Sequence, residues 1–344
     1  MFQKTLFKGL RWILSPFSLL YALVLGVRNL FFDINIIKQT SFDIPVIAVG
    51  NLSVGGTGKT PQIEYLIRLL EEEYTIAVLS RGYKRKSEGF VIANDKTTVE
   101  EIGDEPFQFF KKFQKIIVAV DTNRVNGINQ LLKTNSKINL ILLDDAYQHR
   151  KVKARFYALL TSYDNLYTKD FVLPLGDLRE AKSGAKRANA IIVTKCPVGI
   201  TQVEKNAIVD EIKPTKFQNV FFSSIAYDNV IHSNKNSLGL KEIVDYDVVL
   251  ITGIAKPKPL LDALISKGIK FTHLNFPDHH NFSPSDVDTI NETFDKLKNA
   301  KKLILTTEKD FTRLSDSIDG IYSLGIRMSI TDSDKFDYFV KEGI

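Results

Sequence analysis

Lys59 and Thr60 sit where a chain would grip the phosphates of a nucleotide. An apolar stretch, Val46 to Val49, runs into a turn holding Gly55, Gly56, Thr57 and Gly58, and Pro61 follows at the start of a helix-like run. Glycines let backbone N–H groups converge on phosphate oxygens, a helix N-terminus adds its positive end, and Lys59 supplies a point charge. Thr60 is placed to offer its hydroxyl to Mg²⁺. The usual G-x-x-x-x-G-K-T spacing asks for glycine at position 53, and this chain has Ser53.

Such a cradle needs an acidic partner, because a divalent ion must bridge the β- and γ-phosphates. Asn139 to Leu143 reads as a buried strand that delivers Asp144 and Asp145 to the carboxyl edge of a sheet, where ligands bind in open α/β folds. Asp104, in Gly103-Asp104-Glu105-Pro106, stands just ahead of a helix, and taken alone it reads as a helix cap. Arg179-Glu180 follows a turn-rich segment. There an arginine suits charge on a transferring phosphoryl group and a glutamate suits a metal ion; a surface ion pair is the plain alternative. In Pro277-Asp278-His279-His280 the histidines are structural or serve to polarise a carboxylate that takes a hydroxyl proton. The Arg81 to Lys86 loop is a solvated basic face or a steering patch for anions.

Positioning these residues calls for a particular set of elements. Apolar strands at 45–49, 75–79, 115–120 and 137–143 alternate with helical runs at 61–73, 105–113 and 123–132. That pattern predicts a parallel sheet covered on both faces. Stretches 156–160 and 190–194 extend it. A second alternating series starts near Asn219, with strands at 220–224, 248–252, 271–274 and 302–306 and helices at 259–267 and 284–299. The expected fold is α/β: a P-loop NTPase-like domain over 33–215, a smaller α/β domain over 216–344, and a membrane-associated segment over 1–32. In that segment Lys4, Lys8 and Arg11 precede an apolar run from Ile13 to Val27, too short to span a bilayer comfortably and suited to lying in its interface. A buried N-terminal helix is the alternative. A lone Cys196 excludes an intramolecular disulfide, and a formal charge of +6 favours acidic partners without choosing among them.

Taken in order, Gly50 to Pro61, Ser80-Arg81-Gly82-Tyr83, Gly103-Asp104-Glu105-Pro106, Asp144-Asp145-Ala146-Tyr147-Gln148-His149, Leu178-Arg179-Glu180, Phe276-Pro277-Asp278-His279-His280 and Thr306-Thr307-Glu308-Lys309-Asp310 resemble the tetraacyldisaccharide 4′-kinases. The resemblance covers nearly the whole chain and includes Ser53. Ala146 stands where that family often has glycine.

The resemblance implies ATP-dependent phosphorylation of the distal sugar hydroxyl of an acylated disaccharide 1-phosphate, giving lipid IVA, at the cytoplasmic face of an inner membrane; it implies no obligatory protein partner. It also implies roles: Lys59 on the β/γ-phosphates, and Thr60, Asp144, Asp145 and Glu180 around Mg²⁺. Asp104 would be the base, assisted by His279 from the second domain closing over the site, and Arg179 would meet the transferring group. Which of His279 and His280 serves stays open.

Two rivals remain at this level. A membrane-associated positioning ATPase would share the P-loop, but its signature lysine is replaced by Val54. A GTPase would need Asn-Lys-x-Asp, and Thr194-Lys195-Cys196-Pro197 lacks the aspartate. A nucleic-acid role has no recognition motif behind it.

Overall fold

The computed structural model describes residues 14–278 and 280–344. It divides into two compact units, residues 1–225 with 328–344, and residues 226–327.

In the first unit, helix α1 (Ser15–Asp33) precedes strand β1 (Val46–Asn51) and helix α2 (Lys59–Leu70). Strands β2 (Ile76–Ser80) and β3 (Val91–Ile92) lead to the short α3 (Val99–Ile102) and to α4 (Asp104–Lys112). Then come β4 (Ile117–Val120), α5 (Arg124–Thr134), β5 (Leu140–Leu143), β6 (Phe156–Ser162), β7 (Ala190–Thr194), α6 (Gln202–Ile212) and β8 (Asn219–His232). The strand order is β8-β7-β6-β1-β5-β2-β4-β3, parallel except for the edge strand β3. Because β1 lies between β5 and β6, the chain switches sides there, and the P-loop leaves from that switch point.

Alternation along each strand builds two layers. Ile47, Val49, Ile76, Val78, Leu140 and Leu142 face one side, where Ile63 and Ile67 of α2, Phe109 of α4 and Phe113 just after α4 cover them. Val46, Ala48, Ala77, Leu79, Ile141 and Leu143 face the other, against Ile128 and Leu131 of α5.

The second unit continues β8 into β9 (Ser237–Gly239), β10 (Asp247–Thr252), α7 (Lys258–Ser266), β11 (Phe271–Asn275), α8 (Pro284–Asp295), β12 (Lys302–Thr307), α9 (Glu308–Leu314) and β13 (Tyr322–Ile330). Strands β11, β10, β12 and β13 run parallel in that order.

Three expectations need correction. The second unit begins within β8 rather than at 216, because β8 is one strand of 14 residues. It also ends at 327. The last helix, α10 (Ser333–Gly343), belongs to the first unit: Phe336 meets Tyr65 and Phe221 edge-on, and Tyr65 donates to Asp337 at 2.6 Å. The apolar segment is also longer than its sequence run suggested. Its 19 residues make α1 long and apolar enough to cross a membrane by composition. Polar bonds nevertheless hold it along the unit. Ser18 donates to the Val172 carbonyl at 2.6 Å near one end, and Asp33 pairs with Arg150 at 2.6 Å at the other. Phe17, Leu19, Leu20, Leu23 and Val24 stay exposed. Lys4, Lys8 and Arg11 lie outside the described residues.

Candidate active site

The P-loop begins as extended backbone. Ser53 forms an antiparallel bridge with Leu178, Val54 N–H donates to Asp177 at 2.7 Å, and Arg179 N–H donates to Leu52 at 2.6 Å. A residue in a bridge needs no glycine, which accounts for Ser53. Left-handed backbone appears later, at Gly55 (φ +103°) and Gly58 (φ +89°). Gly58 is the cap residue of α2, so Lys59 and Thr60 open the helix. From the end of β7, the Thr194 hydroxyl donates to the Thr57 carbonyl at 2.7 Å, and the Lys195 ammonium donates to the Gly56 carbonyl. The buried Thr57 hydroxyl has no protein partner, as fits a loop shaped around an oxygen-rich ligand.

At the end of β5 the two aspartates occupy different environments. Asp145 has a left-handed backbone (φ +46°), a conformation aspartate tolerates, so Ala146 needs no glycine. Both Asp145 oxygens lie 3.0 Å from Nη1 of Arg179, and the Lys59 ammonium is 3.6 Å away. Burial works against the Asp145 charge, but Lys59 and then Arg179 outweigh it and hold the carboxyl below its usual range. Asp144 is buried and accepts from the Ser80 hydroxyl at 3.1 Å. Burial first, then the Asp145 charge, pushes it up to about 6 in spite of Lys59. Behind the pair, Arg124 donates to the carbonyls of Asp121 and Asp144, and burial lowers it to about 10. Burial and then the Arg124 and Arg81 charges bring His149 down to about 4, leaving it neutral near pH 7.

Asp104 is the first residue of α4. Its cap, Gly103 (φ +91°), lies so close to the Tyr83 carbonyl that a Cβ there would approach it to 2.9 Å. The next residue, Glu105, contributes to raising Asp144, which places the start of α4 within electrostatic reach of the aspartates.

Lys59, Asp144, Asp145 and Arg179 are therefore brought together. Glu180 is not. Its carboxylate accepts from Arg187 at 2.9 Å, Gln148 at 3.0 Å and Asn29 at 3.1 Å, so here it braces α1 and its own loop. Among the described residues no group of three or more His, Cys, Asp and Glu side chains gathers as a metal cluster. A P-loop Mg²⁺ needs only one or two protein oxygens beside phosphate and water, and the Asp144 carboxylate, beside Lys59 and Asp145, has the chemistry to be one of them.

His279 lies outside the described residues, whereas His280 bonds Asp286 at 3.0 Å and stacks on Phe276. In the basic loop, Arg85 turns back onto the Gly89 carbonyl and Lys86 pairs with Glu100. Sequence reasoning missed Arg124, Gln148, Arg187, Thr194 and Lys195. The one available signal was the Thr194-Lys195 pair at the end of an apolar strand.

A glycine-rich strand–helix turn with paired strand-end aspartates and a facing arginine defines a P-loop phosphotransferase. Comparison with known proteins makes this specific. A family model described as Tetraacyldisaccharide-1-P 4'-kinase matches residues 10–344, and the chain belongs to that family. It is 52% identical over 342 residues to a tetraacyldisaccharide 4'-kinase of Flavobacterium johnsoniae, covering 97% of this chain and 98% of that one. It is 45% identical over 350 residues to the enzyme of the same name from Bacteroides thetaiotaomicron, covering 96% and 92%. It also resembles the crystal structure of the "apo" form of LpxK from Aquifex aeolicus in complex with ATP, at a TM-score of 0.77 and 29% identity over 97% of this chain and 99% of that one.

Proposed function

We propose that this protein is an ATP-dependent kinase that phosphorylates the 4′-hydroxyl of an acylated disaccharide 1-phosphate on the route to lipid A. The observation that carries this reading is the charge set at the P-loop mouth. Lys59 and Arg179 converge on Asp145, a counter-charge they can exchange for phosphate oxygens. Phosphoryl transfer asks for positioning and charge neutralisation more than covalent help. The P–O bond to the leaving diphosphate breaks as a P–O bond to the sugar oxygen forms, and ADP departs.

Within this reading Asp104 accepts the hydroxyl proton and His279 assists it; His280 is already committed to Asp286. Arg179 meets charge on the transferred group. Thr60 and Asp144 would hold Mg²⁺, which would supply neutralisation of phosphate charge. The exposed apolar side of α1 rests in the membrane interface at the cytoplasmic face, placing the P-loop at headgroup height. The positioning-ATPase reading has no comparable support, because the relatives bear a metabolic kinase's name.

The test is transfer of label from the γ-position of ATP to purified disaccharide 1-phosphate, with the product mapped. An unmodified acceptor would refute the assignment. Asp104→Asn should lower turnover about 10²- to 10⁴-fold with ATP binding retained; near-normal turnover removes Asp104 from the chemistry.

A further inference from the structure

Two helices start at residues of this site, and each is preceded by a left-handed glycine: Gly58 before Lys59, and Gly103 before Asp104. They cover the same face of the sheet, with Ile63 and Ile67 of α2 and Phe109 of α4 in one apolar cluster. One turn behind their starts they are joined by Glu64, a carboxylate only 1% exposed. Its Oε1 accepts from Gln108 Nε2 at 3.0 Å, and its Oε2 lies 2.8 Å from Lys112 Nζ and 3.2 Å from Arg68 Nη2.

The spacing gives the arrangement its meaning. Residues four apart share a helix face, so Thr60, Glu64 and Arg68 form one stripe and Asp104, Gln108 and Lys112 another. The stripe that begins at Asp104 is the one bonded to Glu64. A buried carboxylate costs stability unless its oxygens are partnered, and these are partnered mainly from the facing helix. Packing alone would tolerate a slide of one helix along the other, whereas charge-assisted bonds fix the offset.

We infer that Glu64 is a positioning residue for the transfer step: through Gln108 and Lys112 it sets the depth of Asp104 relative to Lys59 and Thr60. This rests on Asp104 being the base. A base must stand within hydrogen-bond reach of the proton it takes, and a misplacement of about 1 Å can cost up to about 10²-fold in rate. Glu64 itself sits a turn away from the P-loop residues, so ATP affinity should be little affected.

A double-mutant cycle in the full chain, with MgATP and the disaccharide 1-phosphate, tests the inference. Glu64→Leu matches the volume and leaves Lys112 and Arg68, both partly exposed, able to turn to water. It should lower kcat about tenfold with KM for ATP within about twofold, while Glu64→Gln recovers part of the loss. In an Asp104→Asn background, Glu64→Leu should cost nothing further. Equal fold-losses in both backgrounds, or unchanged kcat in the single variant, would overturn the positioning role. A near-normal Asp104→Asn would instead remove the base assignment beneath it. Gln108→Leu breaks the neutral strut and keeps the ion pair. If Glu64→Leu does not fold, the same cycle is run with Gln108→Leu, where a kcat loss confined to the Asp104 background is expected and a loss shared by both backgrounds overturns the role.

Discussion

The mouth of the P-loop and helix α1 solve opposite solvation problems. At the mouth, Lys59 and Arg179 each lie within 4 Å of Asp145, so that charge answers charge. Along α1 the polar side chains turn inward, Asn29 to Glu180 and Ser18 to Val172, while Leu19 and Leu23 stand open. The first region works through a few specific pairs, and losing one partner strands the rest. The second works through apolar area, which sums over many side chains and forgives the loss of any one. Function at the mouth is therefore brittle, whereas membrane attachment along α1, where the proposed function puts it, would be graded.

The sharpest way to break that contrast is Lys59→Ala, expected to reduce phosphoryl transfer about 10²- to 10³-fold in a steady-state assay. A loss of only a few-fold would mean the mouth is as forgiving as the helix. Next is Asp144. Its folded carboxyl titrates at about 6, above the ordinary 3.8. Below about pH 4 it is protonated in both the folded and unfolded chain. Between there and about 6 the folded chain holds the proton more tightly, so stability drains as pH rises through that window, by about 3 kcal/mol. Thermal unfolding of the ligand-free protein at pH 5 and pH 7.5 should show the wild type falling further than Asp144→Asn. Parallel pH curves would mean the carboxyl titrates normally.

A smaller effect belongs to the joint between the regions. Arg150 donates to the Asn29 carbonyl at 2.8 Å, pairs with Asp33 and lies 5.0 Å over the Phe32 ring. Arg150→Ala should cost about 1 to 2 kcal/mol and speed amide exchange in the last turn of α1; unchanged exchange would show that other bonds hold that turn. The smallest effect is on the outer face. Leu23→Ser should weaken vesicle binding by about 1 to 2 kcal/mol and leave turnover on detergent-dispersed acceptor unaltered. A matching loss of turnover would tie the outer face to the chemistry and sink the division.

What the sequence disclosed follows the same line. Gly55 to Thr60 and Leu140 to Asp145 were readable because strand, turn and charge are contiguous, so local pattern carries the geometry. Glu64 with Lys112, Arg124 with Asp144, and Lys195 with Gly56 were not, because each pair joins segments far apart in the chain. A polar residue in a helical window looks the same whether it faces water or a buried partner. Glu180 shows the hazard from the other side: its neighbour Arg179 reaches the site, but its own carboxylate is spent on Arg187, Gln148 and Asn29. The strand at 322–330 and the helix at 333–343 went unread although Leu324, Met328 and Ile330, then Phe336 and Val340, carry buried positions at recognisable intervals.

That last helix has a consequence during synthesis. Phe336 and Asp337 seat against Tyr65 of the P-loop helix, so the nucleotide-gripping half leaves the ribosome with a gap in its wall. Roughly a hundred intervening residues, a whole second unit, must be translated before the plug arrives. A nascent chain halted short of residue 333 would expose apolar surface to chaperones, and a truncation there would silence a P-loop from which no residue had been removed.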